Sequence, residues 1–249
     1  IALSDIKSAY TLIQKAFNIA ETYQIPVILL TEKQIAESLY QISDLPPDEK
    51  IERGLEKKER LAKLEPNDRY KITENGISPR WLPGQSETVF VANSDEHLED
   101  GTLTEDALPS LAMNQKRLRK LETLKAQIPE PELIGPTKAD LTFVGWGSVK
   151  NTVCDVLSLW NDKYPTKTIN YLHYEYLYPV KTEKIQALID KNQSLVAVEN
   201  NAFAQLANLL TQETGHLFTE KLLKYDGRPF FIEDIWQFLE ERHGKNGKL

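Results

Sequence analysis

The stretch Leu141-Thr142-Phe143-Val144-Gly145-Trp146-Gly147-Ser148 decides the fold class of the C-terminal part of the chain. Its first four residues are mostly apolar and predict a buried strand. The turn Gly145 to Ser148 follows, and apolar residues then recur at helical spacing from Val149 to Trp160. A strand that leads through a glycine turn into an amphipathic helix is typical of an α/β fold.

The alternation of strand and helix continues to the end of the chain. Further strands are predicted at 168–173, 195–199 and 222–225, and further helices around Ile185 to Ile189, at 202–213 and at 232–242. Alternating elements of this length imply right-handed crossovers between parallel strands. Residues 137–249 are therefore predicted to form a complete α/β domain, a mostly parallel open sheet with helices on both faces.

The N-terminal residues 1–45 predict a long helix, a strand and at most a short further helix from Glu32 to Leu39. Apolar residues recur at helical spacing from Asp5 to Tyr23, with Ser4 or Asp5 available as N-cap. The apolar run Pro26 to Leu30 has no alternation, which is typical of a strand covered on both faces. No strand of similar quality follows before residue 141, so we expect the other strands of that sheet to precede the chain, which would then be a fragment.

Residues 46–136 have a different composition and predict a connector. Mixed charges over 48–65 favour a solvated surface helix broken near Gly54. Three turn signals, Asn75-Gly76, Ser78-Pro79 and Pro83-Gly84, then predict irregular backbone. Val89 to Val91 could form a short strand. A helix is predicted over 104–128, with its basic cluster Lys116, Arg117, Arg119, Lys120 and Lys125 on a solvated or subunit-facing surface.

Composition excludes several classes of protein. The 249 residues carry 30 basic and 37 acidic side chains, a net charge of −7, which argues against nucleic acid or an anionic membrane surface as a partner. No apolar run approaches the roughly 20 residues of a membrane span. The single cysteine, Cys154, excludes an internal disulfide and an iron–sulfur cluster held by this chain, and favours a reducing cytoplasm.

The turn Gly145, Gly147, Ser148 is the first candidate site. Glycines between a strand and a helix let backbone approach an anion at the helix N-terminus. The third glycine of the dinucleotide fingerprint is replaced by Lys150, and the second strand ends in His173-Tyr174 without an acidic residue. The alternative is a tight turn with Ser148 as N-cap.

Two further candidates are Glu199-Asn200 and Glu96-His97. Glu199 and Asn200 end the third strand, where open sheets place ligands or partner contacts, but an Asx-type helix cap explains them equally well. Glu96 and His97 lie in an acidic loop that could be a metal loop, an acid/base pair or a loop anchored by hydrogen bonds. The other histidines lie on separate elements, so we expect no metal site.

Several stretches resemble the alpha subunit of 2-oxoacid:ferredoxin oxidoreductases, with the closest match to the 2-oxoglutarate type. The first are YKITENGISPRWLPG at 70–84, Glu96-His97 and KRLRKL at 116–121. Three more follow the family's order, AFNIAETYQIPVI at 16–28, GWGS at 145–148, and VENN at 198–201 with Gln205-Leu206. The chain departs from the family at Phe203-Ala204, where a small residue and a glycine are usual, and at Leu98.

The resemblance implies thiamine diphosphate-dependent, coenzyme A-linked oxidative decarboxylation of a 2-oxoacid, with electrons passed through an iron–sulfur cluster to ferredoxin. It implies that residues 1–45 end the pyrimidine-binding thiamine domain and that 137–249 are a transketolase C-terminal-like domain. The cofactor-activating glutamate would lie upstream, and a beta subunit would hold the diphosphate, its Mg²⁺ and the cluster. This chain would be inactive alone and serve mainly as scaffold and subunit interface in a cytoplasmic hetero-oligomer.

Within that family assignment, Arg80, Glu96 and His97 are the residues we expect nearest the substrate. A guanidinium in a turn-rich loop can clamp a carboxylate with two hydrogen bonds, and the Glu96-His97 pair could order the loop. The competing hypothesis is a free-standing flavodoxin-like domain that binds a phosphate-bearing small molecule at Gly145 to Ser148. It predicts a stable monomer, whereas the oxidoreductase hypothesis predicts an exposed apolar surface near residues 25–30.

Overall fold

The computed structural model describes residues 1–246, with side chains described up to residue 243. The chain forms two compact units, one of residues 1–13, 28–47 and 129–249, the other of residues 14–27 and 48–128. Helix α1 (Ile6–Tyr23) contributes its first residues to unit 1 and the others to unit 2. The domain boundaries predicted at residues 45 and 136 remain predictions.

Unit 1 is built on a five-stranded sheet of order β1-β3-β2-β4-β5. The strands are β1 (Glu132–Ile134), β2 (Leu141–Trp146), β3 (Ile169–Tyr174), β4 (Leu195–Glu199) and β5 (Glu220–Leu223). Its helices are α2 (Lys33–Glu37), α5 (Val149–Lys163), α6 (Glu183–Ile189), α7 (Gln205–Thr214) and α8 (Ile232–Asn246). Neighbouring strands among β2 to β5 are parallel, and β1 pairs with β3 antiparallel. The predicted α/β class is confirmed.

The sheet has a hydrophobic core on each face, because its central strands are buried on both sides. On one face Phe143 and Tyr171 pack with residues of α5 and α8, among them Trp160. On the other face Val144 and Leu172 pack with residues of α6 and α7. Full burial on both faces explains why these strands read as continuous apolar runs without alternation.

Gly145, expected in the turn, lies inside strand β2. A Cβ at this position would be 2.5 Å from the Val198 carbonyl oxygen and 3.1 Å from the Tyr171 hydroxyl. The close approach of neighbouring backbone and of the tyrosine therefore explains the glycine at this position.

Among the described residues Pro26 to Leu30 forms no strand of its own, and the strand predicted there, whose sheet neighbours would precede the chain, remains a prediction. The segment makes one parallel bridge, between Leu30 and Ala2, and Ile28 is 72% exposed. Leu30 is also exposed, which confirms the expected exposed apolar surface near residues 25–30. The short helix expected after this segment is present as α2.

Unit 2 contains the C-terminal part of α1, α3 (Lys58–Leu61), a 3₁₀ turn (Pro66–Asp68) and α4 (Ala107–Gln127). The long α4 confirms the prediction at 104–128. The helix predicted over 48–65 is reduced to α3, because the Asn18 side chain bonds the backbone of Lys50 and Glu52 in extended chain and Gly54 has a φ of 58°. The strand predicted at 89–91 is absent, and Val91 instead bonds the Asp100 carbonyl.

Candidate functional site

A buried carboxylate, Glu199, organises the carboxyl end of the parallel sheet. Its side chain is fully buried at the end of β4. Oε2 accepts hydrogen bonds from Trp146 Nε1 at 3.0 Å, from Asn201 Nδ2 at 2.8 Å and from the Leu206 amide at 3.0 Å. Oε1 accepts one from the Ala207 amide at 3.0 Å. The structure thus supports the helix-cap interpretation, because Glu199 satisfies two free amides in the first turn of α7.

Asn200, the neighbour of Glu199, faces an open cleft at the same sheet edge. Its Nδ2 donates to the Arg228 carbonyl at 3.3 Å, and its Oδ1 is buried without a hydrogen-bond partner among the described residues. The cleft, of ≈ 670 Å³, is lined by residues of the α2 segment, including Glu32 and Glu37, and by the loop after β5, including Lys224. A ligand or partner contact at Asn200 remains a prediction.

The turn Gly147-Ser148 holds a carboxylate from its own chain. Glu32 Oε1 accepts the Ser148 amide at 2.9 Å, and Oε2 accepts the Ser148 hydroxyl at 2.5 Å. Gly147 leaves room for this side chain, because a Cβ there would overlap Glu32 Oε1. Ser148 is the N-cap residue of α5, as predicted, but its hydroxyl makes no cap hydrogen bond within the helix. The donors that a phosphate would need are already bound to Glu32.

His173 is buried next to this turn. It is 1% exposed, its Nδ1 lies 3.0 Å from the Tyr171 hydroxyl, and its Nε2 has no hydrogen-bond partner in the described part of the chain. Burial, and then the charge of Lys150, lowers the pKa of His173 to about 3. The imidazole is therefore neutral at physiological pH and belongs to the core of the sheet.

This burial predicts a pH-dependent loss of stability. In the unfolded chain the pKa of His173 returns to about 6.5, so between pH 6.5 and 3 the unfolded state binds the extra proton and stability falls as the pH falls. From pH 7 to pH 5, above most carboxyl titration, we expect a loss of about 2 kcal/mol from this residue. Chemical denaturation at both values should show this difference in the wild type and lose it in His173→Gln. An equal loss in the variant would contradict the prediction.

In unit 2, Arg80 and Glu96 are each bound to a partner within the chain. Arg80 Nη1 donates to Glu21 Oε2 at 2.6 Å and to the Arg53 carbonyl at 2.5 Å. Arg80 also lowers the pKa of Glu21, chiefly through this hydrogen bond. Glu96 accepts Arg117 Nη1 at 2.8 Å and Nη2 at 2.6 Å. The Arg117 hydrogen bonds lower the pKa of Glu96 to about 2, so Glu96 is not an acid/base group at neutral pH.

His97 is anchored in its loop, as one of the sequence-based alternatives predicted. Its Nδ1 lies 2.9 Å from the Leu98 carbonyl oxygen and its amide donates to Glu96. Its ring centroid is 4.2 Å from that of Tyr70, which belongs to an aromatic cluster with Phe90 and Trp81. Arg80, Glu96 and His97, which we expected together near the substrate, therefore contact different residues.

Glu32 and the role of Trp146 escape prediction from the sequence. Glu32 follows an apolar run, and nothing local indicates that its carboxylate reaches a turn 116 residues later. Trp146, expected in the turn, ends β2 and donates to Glu199. In the sequence Trp146 closely follows the predicted strand at 141–144, and the predicted strand at 195–199 ends in Glu199. This is the signal that could have placed the two side chains near each other.

The described residues do not supply the ligands that the metal of thiamine diphosphate would need. Mg²⁺ takes carboxylate, carbonyl and water oxygens. Within residues 1–246 no three His, Cys, Asp or Glu side chains lie together as ligands. Burial raises the pKa of the lone thiol, Cys154, and so disfavours a metal-binding thiolate. The residues present therefore do not fit the diphosphate and its metal.

Residues 1–117 match the family of pyruvate flavodoxin/ferredoxin oxidoreductase thiamine diphosphate-binding domains. The alpha subunit of 2-oxoacid:ferredoxin oxidoreductase 1 from Sulfurisphaera tokodaii is 32% identical over 231 residues, 90% of this chain and 35% of that protein. Over most of its length the chain is therefore similar to the alpha subunits of 2-oxoacid:ferredoxin oxidoreductases. The alpha subunit of 2-oxoacid:ferredoxin oxidoreductase 2 from Aeropyrum pernix is also 32% identical, over 89% of the chain and 34% of that protein.

A solved structure shares the fold of this chain. The 2-oxoglutarate:ferredoxin oxidoreductase from Magnetococcus marinus, with 2-oxoglutarate, coenzyme A and succinyl-CoA bound, matches with a TM-score of 0.84 and 23% identity. The match covers 97% of this chain and 41% of that one. The chain spans about a third of the length of the curated relatives it matches. No helix among residues 1–246 has the length and apolar composition to cross a membrane.

Proposed function

We propose that this chain is the scaffold and subunit-contact part of a thiamine diphosphate-dependent 2-oxoacid:ferredoxin oxidoreductase. The complex would decarboxylate a 2-oxoacid of the 2-oxoglutarate type oxidatively, form the acyl-coenzyme A and pass electrons to ferredoxin. A beta subunit would hold the diphosphate, Mg²⁺ and an iron–sulfur cluster, and the complex would be a cytoplasmic hetero-oligomer.

One observation carries the scaffold role. The charged residues predicted for a site, Arg80, Glu96 and Glu199, are all bound within the chain. A carboxylate with four donors and two guanidiniums paired to glutamates hold loops and helix ends in place. Their contacts are those of structural residues. The catalytic residues would then have to come from other subunits.

The phosphate-binding alternative finds no support in the turn that suggested it. Ser148 donates both its amide and its hydroxyl to Glu32. A phosphate would have to displace this carboxylate before it could bind there.

The proposal is tested on the native complex. A tag on the alpha subunit would allow anaerobic purification, identification of partners by mass spectrometry, and an assay of 2-oxoglutarate-dependent viologen reduction with coenzyme A. We expect a beta subunit with bound thiamine diphosphate, and activity that requires both substrates. A lone, inactive, folded monomer would contradict the proposal.

The scaffold role makes a specific prediction for Arg80. Because its guanidinium binds Glu21, we expect Arg80→Ala and Glu21→Ala each to destabilise the protein by about 1 kcal/mol, with the double variant little worse than either. In the complex neither should change the KM for the 2-oxoacid more than about twofold. Denaturation and steady-state kinetics on the same variants measure both effects. A large rise in KM in Arg80→Ala alone would assign Arg80 to substrate binding.

A further inference from the structure

Helix α4 carries an outward-facing apolar stripe. Leu108, Leu111 and Leu118 are 80%, 54% and 65% exposed. At 100° per residue these three positions fall within about 80° of the helix circumference. The three exposed leucines share one helix face, on which the exposed polar residue Gln115 lies between Leu111 and Leu118.

A shallow groove adjoins this stripe within unit 2. It encloses ≈ 270 Å³ and its apolar wall consists of Ile25, Leu118, Leu121 and Leu124. Its polar lining is Asn114, Arg117 and Lys120. Leu118 belongs to both the stripe and the groove, so the two form one apolar surface edged by cations.

The charge of α4 is opposite to that of the whole chain. The helix contains five basic residues and one acidic residue, Glu122, in a chain of net charge −7. Within the described residues, the one basic side chain of α4 that has an ion pair is Arg117, with Glu96. Among the described residues Arg119, Lys120 and Lys125 have no ion pair, whereas Lys116 is buried and interacts electrostatically with Glu99.

Backbone carbonyls hold three of these cations without neutralising them. Lys116 Nζ donates to the Tyr70 carbonyl at 2.7 Å, Lys120 Nζ to that of Gln24 at 3.2 Å, and Arg119 Nη2 to that of Thr73 at 3.3 Å. Burial, followed by nearby cations, lowers the pKa of Lys116 to about 8 and also lowers the pKa of Lys120.

We propose that the α4 surface, formed by Leu108, Leu111, Leu118 and the adjoining groove, docks an amphipathic helix of the partner subunit whose apolar side chains are flanked by carboxylates. Helices dock into grooves of this kind through residues at three- and four-residue spacing. The cationic edge specifies an acidic partner, and the leucines favour a protein over a nucleic acid, which lacks matching apolar side chains. A second copy of α4 is disfavoured because two cationic helices would face each other. The proposal rests on the proposed function for the existence of that subunit.

The test uses the full-length alpha subunit and the purified beta subunit of the native complex. Leu111→Asp with Leu118→Asp removes the apolar stripe, and Arg119→Glu with Lys125→Glu reverses the charge. Leu39→Asp and Lys33→Glu, at exposed positions of unit 1, are the matched controls. Circular dichroism would verify that each variant folds. If the double charge variant misfolds, Lys125→Glu alone replaces it in the test.

We expect the Kd for the beta subunit to rise at least tenfold in the leucine pair and severalfold in the charge variants, with the controls within twofold. Carbodiimide cross-linking should join Lys120 or Lys125 to a carboxylate of the beta subunit. An unchanged Kd in the leucine pair, or no binding by the wild type, overturns the proposal. Sensitivity to charge alone would indicate a polyanion surface and also overturns it.

Activity is measured separately on the wild-type complex. A complex that assembles through α4 but lacks 2-oxoacid oxidation would refute the proposed function and leave the docking surface intact. An active complex with unaffected variants would refute the docking surface alone.

Discussion

Replacing Glu199 with alanine is expected to destabilise the protein by about 3 kcal/mol or more, the largest effect we expect from any single polar side chain. The substitution removes the acceptor for Trp146 Nε1, for Asn201 and for the first amides of α7. The Leu206 and Ala207 amides stay buried without this acceptor, and each unmet buried donor costs about 1–3 kcal/mol. Guanidinium denaturation followed by circular dichroism measures the loss.

Two further variants separate the hydrogen bonds from the volume of the side chain. Glu199→Gln keeps the shape and one carbonyl oxygen but turns an amide group toward a donor, so we expect a smaller loss than in Glu199→Ala. Glu37→Ala removes a glutamate whose side chain is 67% exposed, and its effect should stay within about 0.5 kcal/mol. Equal stability of Glu199→Ala and Glu37→Ala would refute the capping role.

Gly76→Ala is expected to loosen the turn that packs against α4, with a loss of about 3 kcal/mol or more. Gly76 has a φ of 77°, which is unfavourable for alanine. A Cβ would also overlap the Lys120 amide nitrogen and lie 2.5 Å from the Lys116 carbonyl oxygen. The backbone of α4 cannot move aside as a flexible side chain could. The cost of the positive φ and the cost of the steric overlap therefore both contribute to the loss of stability.

Gly84→Ala is the matched control for Gly76→Ala. Gly84 has a φ of 85°, but a Cβ there would meet nothing within 4 Å. We therefore expect only the backbone strain, about 1 kcal/mol. Thermal and denaturant unfolding of both variants gives the difference, and similar losses would show that close packing of the turn on α4 contributes nothing.

Much of the fold was predictable because burial follows a local period. In α1 and α4 the apolar residues recur every three to four positions, and both helices are present with ends within a few residues of the predicted ones. In β2, β3 and β4 both faces are covered, so the sequence is apolar without alternation. Strand β1 was missed since three residues on an antiparallel edge carry too short a pattern.

The wrong predictions fall where local pattern and tertiary contact disagree. In 48–65 the charge spacing favoured a helix, but Asn18 holds that backbone in extended form. The hydrogen bonds of the distant Asn18 side chain cannot be predicted from the residues next to this segment.

The sequence by itself determined the α/β class, the order of elements after residue 137 and the family resemblance, because these depend on periodicity and on co-linear motifs. Only the tertiary structure decided what the candidate residues contact. Ser148 binds Glu32 across 116 positions, and Arg80 binds Glu21 across 59. A hydrogen bond depends on where the folded chain places two groups, and separations of this size leave no local trace in composition or spacing.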